Sequence, residues 1–151
     1  MNPEQTEQFE KAKKLFAENK WRDAATILFD LQNEVDDEQL TEWTTRALYN
    51  SKQYKLAYQV ATQDPQVFAN DVKFLVQVGL KAQHFISTRA MILRQPEEVI
   101  AKLLPLVQRA ELNYRQEFKA TIQNQLRTFY HLGDYPLEEQ RKRLLAADQL
   151  P

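Results

Sequence analysis

Cysteine is absent from the 151 residues, which excludes disulfide staples, thiolate nucleophiles and sulfur-ligated metals. Glycine is almost as scarce, with only Gly79 and Gly133. Phosphate-cradling loops and dinucleotide fingerprints need several glycines at fixed spacing, so nucleotide binding by those routes is out. Asn-Gly and Asp-Gly hairpin turns are missing too, which argues against a β-rich fold. The two histidines, His84 and His131, lie far apart and have no carboxylate at ligand spacing, so no metal site is expected. The two serines, Ser51 and Ser87, stand in no nucleophile elbow. Neither charge sign dominates: 20 basic against 21 acidic residues give a net charge of -1, too little field to gather nucleic acid or an anionic membrane. No apolar run approaches the roughly 18–20 residues of a membrane span. The opening Met1-Asn-Pro-Glu-Gln-Thr-Glu lacks the basic-then-apolar order of a signal peptide. These absences lead us to expect a cytoplasmic, non-catalytic protein without cofactor, metal or membrane contact.

What is present is helical periodicity. Phe9, Ala12, Leu15 and Phe16 recur at three- and four-residue steps, then Trp21, Ala24, Ile27, Leu28 and Leu31 do the same, each the stripe that one helix face buries. The connection between them is so short that the two helices must return on each other. Asp36 or Asp37 is placed to cap a helix carrying Leu40, Trp43, Ala47 and Leu48; Tyr54, Ala57, Tyr58 and Ala61 form the next. Asp64-Pro65 reads as the start of a helix running to about Lys81. Phe85 to Leu93 follows. Gln95-Pro96 opens another, in which Pro105 should kink or split the helix. A long helix through Leu112, Phe118, Ile122 and Phe129 is expected next, and Tyr135-Pro136-Leu137 opens a last one. The acidic clusters at Glu34 to Glu38, Glu97-Glu98 and Glu138-Glu139 fall at predicted helix starts, where capping and the helix dipole account for them. Lys11-Ala-Lys13-Lys14 and Arg141-Lys-Arg143 read as solvated faces.

A period underlies these helices. Trp21 and Tyr54 are 33 residues apart, and Phe85 comes 31 after Tyr54. Ala24 and Ala57 stand three residues beyond the first two, where the third has Thr88. Leu15 and Leu48 stand six residues before them, and Ala12 and Thr45 nine before. Leu132-Gly133-Asp134-Tyr135 repeats the turn phrase, with Glu138 where alanine is expected. This pattern resembles the tetratricopeptide repeat family in a degenerate form, of the kind found in bacterial repeat proteins. The resemblance covers most of residues 5–95 and about the last 25; residues 96–130 depart from it. It implies an all-α fold, a right-handed α-α superhelix of stacked antiparallel helix pairs with about 8–9 helices. Residues 1–151 would form a single domain, with repeats at approximately 5–35, 37–63 and 65–94, irregular helices over 96–132 and a final partial repeat over 118–151. In that family the aromatic fills the wedge where each hairpin opens, and alanine lets the backbones approach. Leu150-Pro151 stands where another repeat would begin, so the chain could be part of a longer one.

The resemblance also implies a function. The first helix of each hairpin would line a concave groove, with Lys13, Glu42, Trp43, Arg46, Asn70, Lys73 and Gln77 facing it. That mixed set suits a peptide or partner helix, with Trp43 as an aromatic anchor or as core. The expected function is a protein–protein interaction scaffold; homo-oligomerisation stays open. The alternative is a regulatory or nucleic-acid-associated helical dimerisation domain, although no strong nucleic-acid signal is present.

Overall fold

A computed structural model of the chain describes residues 1–119, 134–140 and 142. These residues are helical, with no strand among them. Seven α-helices follow in order: α1 (Pro3–Ala17), α2 (Trp21–Glu34), α3 (Glu38–Asn50), α4 (Tyr54–Gln63), α5 (Val72–Lys81), α6 (Phe85–Leu93) and α7 (Glu97–Glu117). A 3-10 helix, Pro65–Phe68, stands between α4 and α5. Two compact units divide the chain, Met1–Leu103 and Leu104–Pro151. The first contains α1 to α6, each packed on its sequence neighbour. No helix among the described residues is long and apolar enough to cross a membrane.

The helix starts follow from local hydrogen bonding. Asn2 Oδ1 accepts the Gln5 amide at 2.8 Å, and Gln5 Oε1 accepts the Asn2 amide at 3.0 Å. This reciprocal pair satisfies two donors that the first turn of α1 leaves free. Asp37 Oδ1 accepts the Gln39 amide at 2.8 Å, so Asp37 rather than Asp36 caps α3.

Each hairpin closes by the same three-residue turn. The middle residue is left-handed in all three: Asn19 at φ 61°, Lys52 at 65° and Gln83 at 65°. The next amide reaches back to close the turn: Lys20 to the Leu15 carbonyl at 2.9 Å, Gln53 to Leu48 at 2.8 Å, His84 to Gly79 at 2.9 Å. The left-handed residues themselves donate to Phe16, Tyr49 and Leu80 at 3.0, 3.0 and 3.1 Å. This is the Schellman arrangement, which pairs carbonyls at the end of the helix. The following helix begins at once, on Trp21, Tyr54 and Phe85.

The 33- and 31-residue period therefore has a physical content. Ala12, Thr45 and the equivalent Val76 are fully buried, as are Leu28, Ala61 and Ile92 in the second helices. Ala24 and Ala57 are also fully buried, and Thr88 is 2% exposed. The third hairpin meets its larger Thr88 by a second change. Gly79 stands where Leu15 and Leu48 stand in the first two, and a Cβ on it would lie 2.1 Å from Thr88 Oγ1. The space lost to threonine is regained by deleting a side chain across the pair. Thr45 solves its own buried hydroxyl by donating to the Thr41 carbonyl at 2.8 Å.

Three expectations are corrected. Trp21, Tyr54 and Phe85 open the second helices in like positions, but they are only half-buried; the fully buried partners are the small residues one turn on. Asp64-Pro65 opens the 3-10 helix and not α5, which starts at Val72 after a turn. That break lets Phe68, 1% exposed, pack with Ala61 and Leu75. Pro105 does not split its helix: α7 runs through it from Glu97 to Glu117, merging what the sequence divides in two. Residues 137–140 are helical, as Tyr135-Pro136 implies. Residues 120–133, 141 and 143–151, on which the rest of the expected last helix falls, lie outside the described residues.

Two stability outcomes follow. Gly79→Ala should cost about 1–3 kcal/mol by overpacking against Thr88. In a Thr88→Ala background the same change should instead stabilise, by about 0.5–1 kcal/mol, since alanine is the better helix residue. Urea unfolding of the four proteins checks this, and a stabilising Gly79→Ala in the parent would contradict it. At the turns, a non-glycine residue in the left-handed region costs roughly 1–2 kcal/mol and asparagine less. Lys52→Gly should raise stability by about 0.5–1 kcal/mol and Asn19→Gly by less, read as melting temperatures; the reverse order would contradict the shared turn geometry.

Candidate partner-binding face

The first helices of the hairpins, α1, α3 and α5, carry a connected strip of rings and cations. Lys13 Nζ lies 4.2 Å from the Phe9 ring centroid and 5.9 Å from that of Trp43, and pairs with Glu10 at 3.3 Å. Trp43 meets Phe9 and Phe16 edge-on, at 6.4 and 5.1 Å. On the next pair of helices Arg46 Cζ lies 4.3 Å from the Phe74 centroid. The same guanidinium holds Glu42 at 3.3 Å within α3 and Asp71 at 2.9 Å on α5. Asp71 is itself the cap of α5, accepting the Phe74 amide at 3.3 Å. Phe74 meets Tyr49 at 5.4 Å, and Tyr49 meets Tyr54 at 5.4 Å. Burial pushes the Tyr49 phenol above its ordinary range, and the neighbouring Tyr54 adds to the shift.

Helix geometry explains the strip. Lys13, Arg46 and Gln77 are equivalent under the repeat spacing, and so are Trp43 and Phe74. Residues one turn apart on a helix stack on one face, so Lys13 falls beside Phe9 one turn earlier on α1, whereas Arg46 reaches the ring of Phe74 on α5.

Of the expected face residues, the structure brings Lys13, Glu42, Trp43 and Arg46 into this strip. Trp43 is both things the sequence allows: it packs against the core cluster and is only half-buried. Lys73 and Gln77 are exposed on α5, four residues apart. Asn70 is exposed too, but it sits in the turn before the Asp71 cap and not on a helix. Sequence reasoning missed Phe9, Asp71 and Phe74 as members. The signal for Asp71 was its place ahead of Val72, obscured because Val67, Phe68, Val72 and Leu75 keep helical spacing through the break.

Elsewhere, His84 stacks flat on Tyr58, with centroids 4.1 Å apart at 8°. Tyr58 and Ser87 share a hydroxyl–hydroxyl bond of 2.6 Å. Ser87 reaches the His84 backbone carbonyl at 3.5 Å, a contact that does not activate a hydroxyl as a nucleophile. His131 lies outside the described residues. Among those described, no group of three or more His, Asp or Glu is placed to hold a metal ion.

Arg46 should prove a clasp between α3 and α5. Arg46→Ala is expected to lower stability by about 1 kcal/mol, from a half-exposed ion pair and a ring contact worth a fraction of a kcal/mol each. Arg46→Lys, which keeps the charge but loses the planar fork, should recover only part. Denaturant midpoints check both, and an unchanged midpoint for Arg46→Ala would contradict the clasp.

Compared with protein-family models, curated proteins and solved structures, the chain matches none.

Proposed function

We propose that this protein is a non-catalytic interaction scaffold of the tetratricopeptide-like kind, whose α1–α3–α5 face holds a peptide or partner helix. One observation carries the reading. Three hairpins closed by like turns set their first helices side by side, and those helices present half-exposed rings flanked by cations and amides. Aromatic and arginine side chains held rigid by neighbours make good interface anchors, because little side-chain entropy remains to be lost on binding. Trp43 has this character, fixed at one edge by Phe9 and Phe16. Lys73 and Gln77 add polar groups that a bound backbone or side chain can use. The stacking of the hairpins into a right-handed superhelix, with this face as its concave side, belongs to the same proposal and rests on the repeat pattern.

A photo-crosslinking residue tests it. Peptides selected from a random display library against the whole chain are bound to variants carrying the cross-linker at Gln77, or at Gln59, which is exposed on α4. Capture at residue 77 and not at 59, with Trp43 emission changing on binding, is the expected result. Capture at 59 alone, or at neither, would contradict it.

A further inference from the structure

Charge on the Met1–Leu103 unit is divided along the helix axes. The antiparallel hairpins put the three turns at one edge. The other edge gathers the starts of the odd helices and the ends of the even ones: Gln5 reaches Glu34 at 3.3 Å, and Gln32 reaches Thr41 at 3.2 Å. A cleft of about 690 Å³ there is lined by Glu34, Asp36, Asp37, Glu38 and Asp64. A second, of about 350 Å³, shares Glu34 and adds Glu4 and Asp30. Neither is lined by a lysine, arginine or histidine, and none of these carboxylates joins an ion pair among the described residues. The turn edge is basic. Lys20, Arg22, Lys52, Lys55 and Lys81 are all exposed there, against Glu18 and Asp23.

Helix capping accounts for only part of this. Asp37 and Glu38 stand at the start of α3, where negative charge is favourable. Asp30 and Glu34 stand in the last turns of α2, and Asp64 at the end of α4, where it is unfavourable; neither helix has a basic residue in its last turn. Conversely, Lys20, Arg22, Lys52 and Lys55 crowd the starts of α2 and α4, the positive ends of the dipole, and α4 has no acidic residue in its first turn. Asp23 gives the start of α2 one favourable charge, and Asp64 also opens the 3-10 helix, so the clear mismatches are the end of α2 and the start of α4. A local rule broken at these two helix ends points to a use outside the fold.

We infer that the acidic edge docks the basic turn edge of a second copy of this chain. The complement of each edge is present on the molecule itself, and the net charge of -1 leaves no overall repulsion between copies. The contact is head-to-tail, so it propagates from copy to copy and is not confined to pairs. It uses the helix ends and leaves the α1–α3–α5 face free, so it stands whether or not that face binds a peptide.

Sedimentation velocity on the full chain is the test, at about 20 mM and about 500 mM salt, where the screening length falls from about 20 Å to about 4 Å. At low salt the average mass should at least double as protein concentration rises, and at high salt it should fall to that of the monomer. Two variants break one edge each: Arg22→Glu with Lys55→Glu, and Asp30→Lys with Glu34→Lys. Each alone should stay monomeric at low salt while melting no lower than the parent, since each puts the favourable sign at a helix end. Mixed, they should associate again, because the acidic edge of the first meets the basic edge of the second. A parent that is monomeric at low salt, a variant that still associates, or a mixture that stays monomeric would each overturn the inference. So would a monomeric parent whose acidic edge binds a polylysine peptide, which would assign that edge to a foreign cationic partner.

Discussion

The three-residue left-handed turn is the constraint from which the rest of the first unit follows. It ends one helix, pairs that helix's last carbonyls and starts the next helix within a single residue of the reversal. With so short a connection the two helices can only lie antiparallel and close. Close approach in turn needs small side chains one turn into the second helix, and Ala24 and Ala57 supply them. The chain makes these turns without glycine. A left-handed Asn, Lys or Gln is a local cost that the packing of the hairpin must offset.

The third hairpin shows that volume is conserved where residue type is not. Thr88 breaks the alanine pattern, and Gly79 breaks the leucine pattern across from it. Each exception explains the other, which neither does when the positions are read one at a time. The substitution is imperfect, because the Thr88 hydroxyl is buried without a hydrogen-bond partner, a cost that an alanine there would not carry.

Much of the helical order was legible in the sequence because periodicity records which face of each helix is buried. Helix starts at Trp21, Tyr54 and Phe85, and the cap at Asp37, were marked by short-range chemistry. Features that depend on distant residues were not. The clasp of Arg46 on Asp71 joins positions 25 apart in the chain, and nothing local to Arg46 announces it. The break at the 3-10 helix was hidden by apolar residues that keep helical spacing on either side. The rings at Trp21 and Tyr54 were expected inside the hairpin, whereas a residue at the first helical position sits at the mouth and keeps one side in solvent. Of the candidate face, Glu42, Trp43 and Arg46 were legible as neighbours on one helix, and Lys13 joined them through the 33-residue spacing that aligns it with Arg46; the rings under the cations became visible only with neighbouring helices in place.

The central claim, that three like turns fix three like hairpins, is tested most directly by native-state hydrogen exchange at the Lys20, Gln53 and His84 amides. An amide at the start of a helix ordinarily has no partner and exchanges freely. Here all three donate across the turn to Leu15, Leu48 and Gly79, so all three should exchange slowly and by similar factors. Free exchange at any of them would show that its hairpin is closed some other way, and would contradict the account.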